Sequence, residues 1–597
     1  MRDFVTTFVI LRDFLRRWRQ QEVEANHTAL TPDNREHLRK AEVMFGIGSD
    51  RPYFGLTGTW LTVWVTVACA TDMSLGGVVV TPDFLDQLNL TNNPSLISTV
   101  TAIYDIGCFF GAISVCAIGD PLGRKKCVLL GTTIMSIGAI IQIASFGVPE
   151  MIVGRIIAGI GNGINTSTAP VWQGETSKAS WRGKLIVIEM IMNIFGFSLS
   201  NWVTFGFSFV SGSASWRVPL AFQFLFIFIL FGTVPWLPES PRWLMAKGRT
   251  EEAERILADL EATDVDDPYI ITQSKDIQWA VQYEKDHAVR WRDLLRGRTG
   301  DQAGTHTIRR VILGMGTQAM QQLSGINVTS YYLPTVLIES VGLTNTLARL
   351  LAACNSVSYL LFSTIGIPNV ERWGRRKMMM YAAAGQFFCY TIITICIRYN
   401  EDTSLSPSTN QQWAKASIAF FFLYYVFFGI GWQGVPWLYP TEINSMAMRT
   451  KGAALGTATN WIFNFMVVEV TPPGIRNLGW QFYIIWCVFN FAFIPIGKPR
   501  SSYNAIITSD DKPVYFFYPE TAGRTLEDLD RYFSGDAPLL VFRDKEVISS
   551  FRPEKYIQSE KEEVRRHSSV VAGDVQAANA AHQRKSRNEG AEYHDDV

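Results

Sequence analysis

Two charged residues, Asp72 and Arg155, stand inside long stretches that are otherwise almost free of charge. An ion held in an apolar setting without a partner is costly, so a pair is the natural arrangement. Three amides, Gln321, Gln322 and Asn327, lie in another such stretch. Each amide donates and accepts hydrogen bonds, which suits it to a neutral polar ligand or to a neighbouring helix. In a straight helix residues 321 and 327 sit far apart around the axis. Unwinding near Ser324-Gly325 brings both inward.

Other chemistries are poorly served. All seven histidines (27, 37, 287, 306, 567, 582, 594) lie outside the apolar stretches, which excludes a histidine metal site or proton relay there. The eight cysteines (69, 108, 116, 127, 354, 389, 396, 487) lie in or at the edge of those stretches and read as packing residues, not a disulfide framework. The Gly-Lys pairs at 183–184 and 497–498 lack the rest of a phosphate-binding loop, so no nucleotide is expected. No nucleophile or metal constellation is present, and neither an enzyme nor a bound cofactor or metal is expected. With 54 Lys+Arg against 54 Asp+Glu, nothing points to nucleic acid.

The elements that must position these residues follow from the apolar runs. Hydrophobic residues make up 48% of the 597 and charged residues only 18%, below the roughly 25% of soluble chains. A bilayer core needs about 20 apolar residues per helix. Such runs fall near 54–78, 95–118, 127–147, 150–172, 184–205 and 218–237, then 311–337, 347–369, 378–398, 416–438, 452–472 and from 481. The mean hydropathy of +0.09 is thus an average over membrane and polar parts. Lys and Arg crowd alternate connections, among them Arg124 to Lys126 and Arg375 to Lys377, and are missing from 79–94 and 340–346. By the positive-inside rule both termini are cytoplasmic.

The expected division is a cytoplasmic tail (1–53), a six-helix half (54–244), a cytoplasmic helical linker (245–308), a second six-helix half (309–535) and a disordered cytoplasmic tail (536–597). The linker reads as amphipathic helices over Glu251–Leu260 and Ile277–Leu295. The run Phe4 to Leu11 is not read as a signal peptide.

Three motifs recur between the halves. Asp120 to Lys126 echoes Glu371 to Lys377 at an offset of 251, Glu175/Arg182 echoes Glu442/Arg449 at 267, and Pro238-Glu239-Ser240 echoes Pro519-Glu520-Thr521 at 281. Two similar halves with a midplane site between them is the logic of secondary transporters.

With these strings in place the chain, over about 50–535, resembles the sugar porter family of the major facilitator superfamily, most closely the fungal hexose transporters. The resemblance is carried by GDPLGRKK (119–126), GRIIAGIGNG (154–163), PESPRWL (238–244), QQLSGINVTSYY (321–332), ERWGRRK (371–377), PWLYPTE (436–442) and PETAGRTLED (519–528). It implies an all-α integral membrane protein with the major facilitator fold, twelve transmembrane helices and a multi-pass place in the plasma membrane. It also implies alternating-access transport of a monosaccharide, most naturally a hexose, with proton symport expected. A uniporter or a transport-dead sugar sensor of the same fold stays open.

By that resemblance Gln321, Gln322, Asn327, Asn355, Trp437 and Asn460 line the sugar pocket, and Tyr331 and Tyr332 form the extracellular gate. Asp72 carries the proton beside Arg155, with Glu189 a further titratable group near the site; the family's sugar-binding glutamine falls on Met190 here. At the cytoplasmic side Arg124, Arg375 and Arg376 are expected to pair with Glu175, Glu239 and Glu442, with Arg182 and Arg449 completing the latch. Gly159 and Gly163 suit close helix approach. Partners are then the sugar, protons and membrane lipid.

The final apolar run is short, 16 residues from Gln481 to Ile496, and resumes only at 514–518 after a polar stretch. Without 497–513 the two pieces join into one span of 21 residues, and the third repeat offset becomes 264, close to its neighbour's 267. These 17 residues read as a retained intron or a gene-model error rather than part of the functional protein. Sequencing the transcript is expected to find message lacking them; abundant message encoding them overturns the reading.

Overall fold

The computed structural model describes residues 81–90, 93–177, 182–286, 306–444, 448–494 and 517–524, and short pieces between 528 and 558. The first expected span, with Asp72, lies outside the described residues, as does 497–513. The helices are α1 Pro82–Gln87, α2 Pro94–Leu122, α3 Arg124–Ile143, α4 Val148–Thr176, α5 Arg182–Phe207, α6 Ala214–Ala221 and α7 Gln223–Thr233, then α8 Pro241–Ala246, α9 Thr250–Glu261 and α10 Pro268–Asp286. The rest are α11 Thr307–Leu323, α12 Ile326–Glu339, α13 Asn345–Ser363, α14 Gly366–Arg372, α15 Arg375–Asn400, α16 Pro407–Gly431, α17 Val435–Ile443, α18 Arg449–Leu478 and α19 Phe482–Phe493. Eleven of the twelve expected spans therefore fall on described helices. Seven of these stretches are long and apolar enough to cross a membrane.

Local signals set the ends. Asn93 caps α2 by accepting from the Leu96 N–H at 3.3 Å, with Pro94 in the first turn. Ser406 and Pro407 open α16 in the same way. Gly123 and Gly374, each at φ +83°, turn the chain between α2 and α3 and between α14 and α15. In the linker the second helix starts at Pro268, nine residues before the expected Ile277. The overlooked signal is Asp267-Pro268, where the Asp267 carboxylate accepts the Tyr269 N–H at 2.8 Å. Together α8, α9 and α10 bury Leu244, Ile256, Leu257 and Ile270 against Trp172 and Leu237.

Close packing in the first half depends on glycine. A Cβ on Gly159 would lie 2.2 Å from the Tyr104 carbonyl oxygen, and one on Gly163 would lie 2.1 Å from that of Cys108. Gly107 and Gly111 of α2 meet α4 in the same way, at 2.4 Å from the Ile156 oxygen and 2.2 Å from the Ile160 oxygen. The expectation for Gly159 and Gly163 thus holds, and α2 supplies a matching pair. Across the halves α2 packs on α18 and α5 on α13. Replacing Gly163 with Leu is expected to cost about 3 kcal/mol or more. Protein abundance at the membrane and thermal stability in detergent should both fall.

Candidate functional site

The site is built around a broken helix. The chain that runs through α11 and α12 is interrupted at Gly325, which adopts φ +90° and ψ 15°. A Cβ there would meet the Tyr390 hydroxyl at 2.6 Å, so both conformation and space require glycine. The break frees backbone carbonyls inside the membrane, where each must find a donor. The Ser324 carbonyl accepts from the Tyr424 hydroxyl at 3.0 Å and from Asn490 Nδ2 at 2.9 Å. The Gly325 carbonyl accepts from the Tyr390 hydroxyl at 2.7 Å. Tyr390 and Tyr424 support each other edge to face, with centroids 4.9 Å apart.

With the break held, the amides form one network. Gln322 donates from Nε2 to Asn460 Oδ1 at 2.9 Å, and Asn460 donates from Nδ2 to Gln318 Oε1 at 2.6 Å and to Gln321 Oε1 at 2.8 Å. Asn327 donates to Gln322 and to Asn464. Gln321 reaches back to the Trp432 carbonyl at 2.7 Å, and the Tyr359 hydroxyl donates to Gln433. All of these groups except Gln318 and Trp432 border a cavity of about 180 Å³. Its opposite wall comes from the first half, with Asn162, Asn165 and Thr166 of α4 and Glu189, Met190 and Asn193 of α5. Trp437, Trp461 and Phe428 supply flat apolar faces.

Of the six pocket residues expected from sequence, Gln321, Gln322, Asn327, Trp437 and Asn460 line this cavity. Asn355 is absent from the lining and is only 1% exposed. Its neighbour Ser356 bonds Ser198 of α5 at 3.1 Å, while Tyr359, one turn further along α13, lines the cavity. Tyr331 lines the cavity, whereas Tyr332 is buried with Ala102 of α2 and Val468 of α18. Glu189 is in the wall, beside Met190. Arg155 donates to the Thr101 carbonyl at 3.3 Å and lies 5.9 Å from the Tyr104 ring.

Sequence reasoning missed Gln318, Asn464 and Gln433. Two had a readable signal. Gln318 precedes Gln322 by four residues and Asn464 follows Asn460 by four, which places each on the same helix face as a residue already singled out.

At one end of the bundle two ionic networks repeat one construction. Arg124 holds Glu175 with two bonds of 2.9 Å, while Glu239 accepts the Arg124 backbone N–H at 3.1 Å. Arg375 holds Glu442 at 2.7 and 3.1 Å and Glu371 at 2.7 and 2.9 Å, while Glu520 accepts the Arg375 and Arg376 backbone N–H groups at 2.8 and 3.1 Å. Glu239 and Glu520 thus occupy equivalent places at the positive ends of α3 and α15. Burial pushes the Glu239 carboxyl up, against the pull of the backbone N–H groups it accepts.

Each network joins helices of a single half. Arg376 contributes its backbone, Arg182 opens α5, and Arg449 opens α18 at 9% exposure. The networks also touch the opposite half. Arg124 Nη2 reaches Thr450 at 3.4 Å, and Gly183 of α5 abuts Glu371, whose Oε1 lies 2.3 Å from where a Cβ would stand.

A helical bundle in two halves, a broken helix beside a central cavity and paired ionic networks define a secondary transporter of the major facilitator fold. The chain belongs to the family described as Sugar (and other) transporter, whose model matches residues 75–533. It is a transporter and not an enzyme. It is 56% identical to the MFS-type transporter oryC of Aspergillus oryzae, over 87% of this chain and 94% of that protein. It is 33% identical to the Sugar transporter STL1 of Saccharomyces cerevisiae, over 81% of this chain and 83% of that one. The fold is similar to a double tryptophan variant of XylE, with a TM-score of 0.64 and 22% identity over 80% of this chain and 99% of that one.

Removing the Tyr390 hydroxyl by Tyr390→Phe leaves the Gly325 carbonyl without that donor. A loss of about 1–3 kcal/mol in stability is expected, together with weaker substrate binding. Thermal unfolding in detergent and substrate-dependent stabilisation check the two effects separately.

Proposed function

We propose that this protein carries a monosaccharide, a hexose, across the plasma membrane by alternating access, in symport with protons and with the Arg124 and Arg375 networks on the cytoplasmic side. The observation that carries the reading is the composition of the central cavity. Amides from both halves offer donors and acceptors for ring hydroxyls, and indole faces suit the C–H surface of a pyranose. A volume of about 180 Å³ is below that of drug-sized pockets, roughly 300–1,000 Å³, and suits a single ring. Relatives bear names in keeping with it. One is the High-affinity glucose transporter of Kluyveromyces lactis, 30% identical over 74% of this chain and 78% of that protein. XylE is described as a proton:xylose symporter and was solved with 6-bromo-6-deoxy-D-glucose.

Gln321, Gln322, Asn327, Trp437 and Asn460 then hold the sugar, with Met190 giving one wall an apolar patch. Tyr331 covers the cavity toward the outer end, where Thr99 donates to Glu469 at 2.8 Å between α2 and α18. Opening outward breaks that bond; opening inward separates α5 from Glu371 and Arg124 from Thr450.

Labelled hexose uptake in cells lacking their own hexose transporters tests the reading. Uptake against a gradient, abolished by a protonophore, is expected; insensitivity to the protonophore makes the protein a uniporter, and no uptake removes the hexose assignment. In the same cells Gln322→Ala or Asn327→Ala should lower uptake at low sugar roughly ten- to hundredfold, as a lost hydrogen bond of about 1–3 kcal/mol requires.

A further inference from the structure

Asp105 belongs to none of the groups discussed so far. It lies in the middle part of α2, is 1% exposed, and neither of its carboxylate oxygens has a hydrogen-bond partner. A charged carboxylate in such a place loses water and gains no donor, whereas the protonated acid tolerates it. A buried acid without a structural bond is either a defect or a working part.

Its surroundings favour the second. Arg155 of α4 reaches α2 at Thr101, four residues and so one helical turn from Asp105, and lies within electrostatic range of it without forming an ion pair. Its Nε has no hydrogen-bond partner. The guanidinium therefore lies along the α2 face that carries Asp105 and keeps capacity to bind a carboxylate. Arg155 is also within electrostatic range of Tyr331 and Tyr332 of α12, and Tyr331 lines the cavity. The remaining titratable groups nearby among the described residues are Tyr104 on α2 itself and Glu469 on α18, which faces Tyr332. Asp105, Arg155 and Tyr331 thus form a chain from the interior of the first half to the cavity wall.

We propose that Asp105 is a proton-carrying carboxylate of the transport cycle, with Arg155 as the group that reads its state. With the proton bound, Asp105 rests as the neutral acid and Arg155 stays on the Thr101 carbonyl, the arrangement seen here. When the proton leaves to water on the inner side, the carboxylate draws Arg155 one turn along α2, away from the gate tyrosines. Reprotonation from the outer side resets it. This rests on the symport reading above, and it gives Arg155 a carboxylate on α2 in addition to Asp72.

The test uses the full chain in hexose-transporter-null cells, with labelled glucose and other hexoses as probes. It records accumulation, protonophore sensitivity and exchange of labelled for unlabelled sugar at equal concentrations. Asp105→Asn, a fixed mimic of the neutral acid, should lose accumulation and protonophore sensitivity yet keep exchange, which needs no proton turnover. Asp105→Glu should retain coupling with a displaced pH profile of uptake, and serves if the Asn variant fails to reach the membrane. An Asp105→Asn protein that still accumulates sugar, or an Asp105→Glu profile that overlies the wild type, overturns the assignment while leaving symport intact. A wild type without proton-dependent uptake overturns the symport reading and this assignment together. Loss of coupling in Asp72→Asn with full coupling in Asp105→Asn places the proton on Asp72 alone.

Discussion

Lipid offers no hydrogen bonds, and that constraint shapes the second half of this molecule. A transport site needs side chains from both sides of a helix to face one cavity, and a straight helix cannot supply them. Breaking the helix at Ser324-Gly325 solves the geometry and exposes two carbonyls. Three donors from three helices then have fixed places: Tyr390 on α15, Tyr424 on α16 and Asn490 on α19. The packing of those helices follows from one broken turn. The tyrosine hydroxyls reach the break from an aromatic cluster in which Tyr390 meets Tyr424 edge to face and Tyr424 stacks on Phe428, itself part of the cavity wall.

The ionic end obeys the opposite logic. There the chain surrounds full charges with partners, and it does so twice with the same parts: a glycine turn, a helix start, an arginine on a carboxylate, and a second carboxylate over the backbone amides. Removing one member of such a buried pair is severe, because the other ion is left stranded. Within each half the helices are therefore tied firmly. Between the halves α2 packs on α18 and α5 on α13, with side-chain hydrogen bonds such as Thr99 to Glu469 at 2.8 Å and Trp461 Nε1 to Thr166 at 3.3 Å.

Helices, repeat and family were legible in the sequence because apolar length and charge placement act locally. Glu239 and Glu520 could be matched from short strings, and the structure gives them one role in two places. The cavity amides were legible in part: Gln321, Gln322, Asn327 and Asn460 stood out as polar residues in apolar runs. What was not legible depends on rotation about helix axes. Asn355 looked equivalent to Asn460, yet it is buried in α13 outside the cavity lining, while Tyr359 one turn further on lines it. Asp105, one turn from Thr101, passed unnoticed among the apolar residues of α2, since its significance lies in which neighbour α4 presents to it. The start of α10 was missed for a simpler reason: its capping pair Asp267-Pro268 was not weighed against the periodicity.

The glycine seam between α2 and α4 has a consequence for how the gene can change. Cavity residues are separated by space, and a substitution there alters what fits. At Gly107, Gly111, Gly159 and Gly163 the backbones themselves nearly touch, so even one methyl group has no direction in which to yield. Substrate preference can therefore drift through single, viable steps in the cavity wall. The seam admits almost no intermediates, and among descendants of this chain it should be the record of ancestry that survives longest.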